Sequence, residues 1–239
     1  MTNESPYQMS LPTLPARFGR GFLKDHVGRI MTDPRIALVE LVANSWDAGA
    51  DSVYITWPNG IEGEVKIEDN GTGMSFDEFD QRWTQLSYNR KEEQGEDVEF
   101  PVENRKSSRK AFGRNGKGRH GMFCFSDSYT VETWKGGEGN IFLVSVSGDF
   151  SAPFRVEHKK QMFKNGHGTL LAAELRWNPI PLSDVKDLIG SKFIADPSFS
   201  IYVNKEIVQL TDLEHISDVF ELEIPNCGSV SSFADLTIR

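Results

Sequence analysis

Apolar and polar positions separate most clearly over Ala37–Ala50 (ALVELVANSWDAGA). At about 100° per residue, Leu38, Leu41, Val42 and Ser45 share one side of a predicted helix. Glu40, Asn44 and Asp47 gather within about 60° of one another on the opposite side. Thr32-Asp33-Pro34 supplies a cap and a first-turn proline, and Gly49 a C′ stop. Ser52–Trp57 and Glu64–Asp69 alternate with period two and predict strands about a Pro58-Asn59-Gly60 turn. Ser75 caps a predicted helix from Phe76 to about Leu86, with Phe79 and Trp83 inward. Gly113–Phe123 reads as a glycine-rich turn entering a helix. Ser128–Trp134 and Ile141–Ser147 flank Lys135-Gly136-Gly137 as a hairpin. An edge strand near Phe154–His158, a strand over Gly168–Trp177 and a helix from Ser183 to about Ile194 follow. Phe199–Val203 and Glu206–Leu210 form a small hairpin over Asn204-Lys205.

Three stretches lack this order. Residues 1–18 hold Pro6, Pro12 and Pro15 and read as an extended arm, before a short helix over Gly19–Ile30 with Phe22, Leu23, Val27 and Ile30 inward. Residues 87–112 are heavily charged and too long for a quiet connection, so a mobile lid is expected there, reaching to about residue 116. After Thr211 the composition changes, and 211–239 read as the opening strands of a second domain. The chain stops inside an alternating run, so a continuation is expected.

A hydrophobic content of 38% with 11% aromatics suffices for a substantial core over 239 residues. A net charge of −9 and a pI near 5.1 argue against a domain built mainly to coat DNA or an anionic membrane. Cys124 and Cys227 stand without metal spacing and read as thiols in a reducing compartment. No apolar run has transmembrane length and no leader is evident, so a soluble cytoplasmic protein (nuclear if eukaryotic) is expected.

The polar side of the central helix carries the first candidate chemistry. A Glu one turn from an Asn can activate a water beside an Asn-held metal ion; three polar residues on a wet face is the plainer alternative. Asp69 ends a strand and runs into Asn70-Gly71-Thr72-Gly73-Met74. A carboxylate there can accept from an exocyclic amine, and glycines let backbone approach a flat ring, although the same residues also make a good tight turn. Gly116-Lys117-Gly118-Arg119-His120-Gly121 is a literal G-x-G-x-x-G, but no strand directly precedes it, and a P-loop would need Ser or Thr where Gly118 stands. What remains is a general phosphate cradle of backbone amides. Seven Lys/Arg between Arg105 and Arg119 suit either a triphosphate under a lid or a nucleic-acid patch. Thr169 opens a strand and can offer a hydroxyl to a pocket floor or be structural. The five histidines show no ligand spacing.

In order, ELVANSWDAGA, DNGTGM, the charged segment, GRNGKGRHG and GHGT resemble the GHKL (Bergerat-fold) ATP-binding family, over about Phe18 to Leu210. That family includes gyrase B subunits, MutL, MORC proteins, ninety-kilodalton heat-shock chaperones and histidine kinases. The resemblance implies an α/β two-layer sandwich, a mixed sheet with helices on one face, and ATP with Mg²⁺ as cofactors. It implies Glu40 as general base, Asn44 as Mg²⁺ ligand and Asp69 as the adenine-binding carboxylate. Gly71, Gly73 and Met74 would line base and ribose; Gly116, Lys117, Gly118 and Arg119 would hold phosphates; Thr169 would support a water beside Asp69. Asp47 matches a recurrent position of the helix motif.

A slow ATPase is implied, switching through lid closure and a nucleotide-dependent homodimer. A DNA or protein client would engage through a later, transducer-like domain. No histidine-bearing helical hairpin lies upstream, which sets the chain apart from histidine kinases. ELVANSWDA and the 25-residue step from Asn44 to Asp69 look like MutL and MORC. GRNGKGRHG lacks the acidic residue of the MutL wording, which points to a MORC-like or bacterial-type relative. A γ-phosphate-contacting Lys or Arg would lie beyond Arg239. The alternatives are a nucleic-acid-binding module with a vestigial pocket, and histidine-kinase-like phosphotransfer.

Overall fold

The computed structural model describes residues 32–86, 94–101, 109–113, 118–147, 152–193 and 196–209, residues 21, 22 and 25, and the backbone of 218–224 and 228–234. The expected arm, and nearly all of the expected first helix, lie outside the described residues.

Helix α1 spans Pro34–Asp47. The Asp33 carboxylate accepts from the backbone N–H of Arg35 and Ile36 at 3.0 and 3.3 Å, satisfying donors the helix itself leaves open. Ala37, Leu38, Leu41, Val42, Ala43 and Ser45 are buried, and the helix ends at Ala48 with Gly49 in the left-handed region. Strands β1 (Ser52–Thr56) and β2 (Gly63–Asp69) follow. Helix α2 is Phe76–Trp83, three residues shorter than its pattern predicts, and opens on a capping box between Ser75 and Glu78. Phe79 stacks on Phe142 at 3.7 Å between ring centres.

Two expectations are corrected downstream. The glycine-rich turn leads into a 3-10 helix, Gly118–Cys124, in place of an α-helix. Every residue of it is buried, with Gly121 pressed against Ala37 and Leu41 of α1. The Lys135-Gly136-Gly137 hairpin does not exist. β3 runs unbroken over Ser128–Val146 and pairs antiparallel with β4, Phe154–Leu175, which absorbs both the expected edge strand and the strand after Gly168. Gly136 and Gly137 have positive φ, and the register shifts between Lys135 and Gly137, so the glycines form a bulge. Both flanking runs pair with one partner, which local pattern cannot reveal.

Helix α3 (Leu182–Phe193), β5 (Ser200–Val203) and β6 (Glu206–Ile207) complete the main unit. The sheet order is β3-β4-β2-β1-β5-β6, antiparallel except for the parallel β1–β5 pair. Val53, Ile55, Val65 and Ile67 are buried on one face, where α1 and α3 pack. On the other face Tyr54 is exposed and stacks on Tyr202. This is the mixed two-layer α/β sandwich that the resemblance implies. β7 (Asp218–Ile224) and β8 (Gly228–Ala234) form a separate two-stranded sheet. No helix among the described residues is long and apolar enough to cross a membrane.

Candidate nucleotide site

A cavity of about 410 Å³ opens where the polar side of α1 meets the ends of β2 and β4, within the usual range for small-molecule sites. Glu40, Asn44, Asp47, Asp69, Gly73, Met74, Gly118, Arg119 and Thr169 all line it. Gly71 is buried behind that wall, packed against Ala48. Gly116 and Lys117 lie outside the described residues.

Asp69 sits at the cavity floor and is buried. The Ser45 hydroxyl donates to its Oδ2 at 3.1 Å and the Gly71 N–H to its Oδ1 at 2.9 Å. Burial pushes its carboxyl up from 3.8 to about 6, against the opposing pull of hydrogen bonds from Gly71, Ser45 and the Thr169 backbone. At neutral pH it is an anchored anion with acceptor capacity left, suited to an amine donor. Gly73 has φ +62 and a Cβ there would stand 2.0 Å from the Trp134 carbonyl oxygen, so both conformation and space demand glycine. The tight-turn and ring-approach readings of DNGTG therefore coincide.

Glu40 is half-buried, and burial followed by the nearby negative charge of Asp47 raises its carboxyl above the ordinary value. A carboxylate so placed is a stronger base than a free one. A Cβ on Gly118 would lie 2.6 Å from Glu40 Oε2. Gly118→Ala should therefore push the Glu40 carboxylate aside and lower any hydrolytic turnover by about tenfold or more, the cost of misplacing a reacting group by about 1 Å. Equal phosphate release by variant and wild type would contradict this.

Asn44 Nδ2 is buried without a hydrogen-bond partner. A carboxamide left unsatisfied at a cavity wall costs stability unless something arrives to engage it. Among the described residues no group of three or more His, Cys, Asp or Glu side chains could hold a metal ion alone. A divalent cation here would be held through the Asn44 Oδ1, with oxygens brought by its ligand and by water, the usual habit of Mg²⁺, while the orphaned Nδ2 is a donor suited to a ligand oxygen. Asp47 does something sequence did not suggest: its two oxygens accept the backbone N–H of Phe112 and Gly113 at 2.6 and 2.8 Å. It ties α1 to the chain entering the glycine-rich loop.

Ser45, Thr133 and His167 escaped the sequence reading. Thr133 Oγ1 accepts from Met74 N–H at 2.8 Å and lies 3.4 Å from Thr169 Oγ1. His167 Nδ1 donates to the Gly71 carbonyl at 2.7 Å. Ser45 occupies the apolar side of α1, where a small hydroxyl reads as filler. Of the basic cluster, Arg109 and Arg119 are buried and Lys110 pairs with Asp97 at 2.7 Å, so these three form no open nucleic-acid stripe.

The fold and this cavity define a two-layer α/β domain with a small-molecule-sized site between α1 and the strand ends. The family model for "Histidine kinase-, DNA gyrase B-, and HSP90-like ATPase" matches residues 31–168, more than half of the chain, and the protein belongs to that family of ATPases. A Herpetosiphon aurantiacus protein provisionally named type II restriction enzyme HgiDII is 29% identical over 106 residues, 44% of this chain and 16% of its own length. The DNA mismatch repair protein MutL of Pseudothermotoga lettingae is 41% identical over 52 residues, 22% of this chain and 10% of that protein. MutL of Thermotoga maritima is 37% identical over 70 residues, 29% of this chain and 13% of that protein. The chain thus spans at most 16% of the length of these relatives. A crystal structure of the N-terminal domain of a DNA repair protein superposes with a TM-score of 0.50 at 18% identity, covering 76% of this chain and 51% of the other, a likeness of fold.

Proposed function

We propose that the protein binds Mg²⁺–ATP in this cavity, hydrolyses it slowly and uses the bound state as a switch. The observation that carries the reading is the convergence of Glu40, an unpartnered Asn44 amide and the anchored Asp69 carboxylate on one cavity. Asp69 would accept from the adenine amine, with Gly71, Gly73 and Met74 against base and ribose. Thr169 would support a water beside Asp69. Asn44 would hold Mg²⁺, which when bound supplies charge neutralisation at the phosphates. Gly118 and Arg119, with Gly116 and Lys117, would contact the phosphates through backbone amides and cationic side chains. Glu40 would take the proton of the attacking water; the rest of catalysis is positioning and electrostatics.

Closure of the charged segment over bound nucleotide would then favour pairing of two copies. The names of the relatives, mismatch repair and restriction, support a DNA-acting machine as the client setting over a chaperone-like one. The opening of a second domain after residue 211 would carry the switch onward. Calorimetry tests the core of this. ATP with Mg²⁺ should bind the wild type and lose most of its affinity with EDTA, whereas Asn44→Ala should remove the Mg²⁺-dependent part altogether. Binding indifferent to both metal and variant would overturn the assignment.

A further inference from the structure

Arg109 belongs to the charged segment, yet it is only 5% exposed. Its Nη1 donates to the Ala50 carbonyl at 2.8 Å, and its Nη2 to the Ser198 carbonyl and hydroxyl at 3.1 and 2.9 Å. The guanidinium lies 4.1 Å from the Trp46 ring centre and 5.3 Å from those of Phe100 and Phe199. Asp196 stands 3.7 Å from Nε. Immediately downstream, Trp46 Nε1 donates to the Lys110 carbonyl at 2.9 Å and Asp47 takes the amides of Phe112 and Gly113. The Arg109 carbonyl accepts from Val98 N–H, closing a short ladder across the segment.

A buried guanidinium is an expensive way to fill space, because an apolar side chain of similar volume often serves stability as well. What the planar fork adds is direction: it fixes one chain segment against carbonyls of two others. Here those are the end of α1 and the loop before β5. Five residues beyond Gly113 stands Gly118, where an added Cβ would meet the Glu40 carboxylate.

We propose that Arg109 is a positioning residue for the phosphate half of the nucleotide site, fixing beside α1 the chain that enters the glycine-rich loop. The inference rests on the ATP reading above. It places Arg109 outside contact with nucleotide, and it predicts damage to triphosphate binding without damage to base recognition.

The test compares adenosine and Mg²⁺–ATP affinities of the full chain by calorimetry, with melting temperature read in parallel. Arg109→Met should bind adenosine as the wild type does and Mg²⁺–ATP about tenfold or more weakly, with Arg109→Lys in between. Equal weakening of both ligands, or a lowered melting temperature with both affinities unchanged, would reduce Arg109 to a fold staple and overturn the proposal. If Arg109→Met does not fold, Trp46→Phe carries the same comparison: it keeps a stacking ring and removes the bond to the Lys110 carbonyl. Selective loss of ATP affinity in that variant supports the proposal, and its absence overturns it. A wild type that binds neither ligand overturns the ATP reading itself, an outcome separate from any behaviour of the variants.

Discussion

Glu40→Ala is expected to keep ATP binding and to lose hydrolysis by about 10²- to 10⁴-fold, the usual contribution of a positioned general base. Affinity should hold or rise slightly, because the change removes a negative charge from the cavity proposed to receive the phosphates. Two features make the effect large. Glu40 is held half-desolvated beside Asp47, which raises its proton affinity above that of a free carboxylate. Gly118, lacking a side chain, leaves the Glu40 carboxylate its room. The measurement is phosphate release at saturating Mg²⁺–ATP, paired with calorimetry on the same preparations. Turnover within a few-fold of wild type would show that another group activates the water.

Asp69→Asn should move stability and binding in opposite directions. The wild-type carboxyl is displaced from 3.8 to about 6 by burial, so the folded state holds a proton more tightly than the unfolded one. The stabilising contribution is therefore complete below about pH 4 and is lost as pH rises through about 6. At pH 7 the buried anion costs the fold up to about 3 kcal/mol. Asparagine keeps the shape and an acceptor for the Gly71 amide, and its amide can donate to Ser45, without that charge. Asp69→Asn should thus melt higher than wild type at pH 7, and the gap should close towards pH 4. Its ATP affinity should fall by about 1–3 kcal/mol, the cost of a mismatched buried polar contact. Preference for ATP over GTP should shrink, since an amide can donate to the guanine carbonyl where a carboxylate repels it. In the wild type, ATP affinity should decline as pH drops through about 6. Equal affinity of the wild type for ATP and GTP would remove the role given to Asp69.

These two carboxylates show how much of the site could be read without coordinates. Glu40, Asn44 and Asp47 share a helix side by arithmetic alone, and Asp33, Pro34 and Gly49 bound that helix as their local chemistry demands. Ser75 was equally legible as a cap, and the structure adds Glu78 as its capping-box partner. Asp69 was found because it ends an alternating run. Its environment was not, since Ser45 comes from the core side of α1, 24 residues upstream, and Thr169 from the paired position on β4, 100 residues downstream. Arg109 failed differently: it was one of seven Lys/Arg between Arg105 and Arg119 that suited a triphosphate under a lid or a nucleic-acid patch, and nothing nearby in sequence announces the aromatic box and carbonyls that enclose it.

Periodicity, caps and glycine conformations act over a few residues, so the sequence alone determined α1, β1, β2, the start of α2 and the four motifs in their order. Which strands pair is decided by contacts far apart in the chain, and so the Gly136-Gly137 bulge stood disguised as a turn. The tertiary structure also decided the electrostatics, because burial and neighbouring dipoles set whether a carboxylate is a base, an acceptor or a tether. Glu40, Asp69 and Asp47 are alike in composition and were given those three different surroundings by packing.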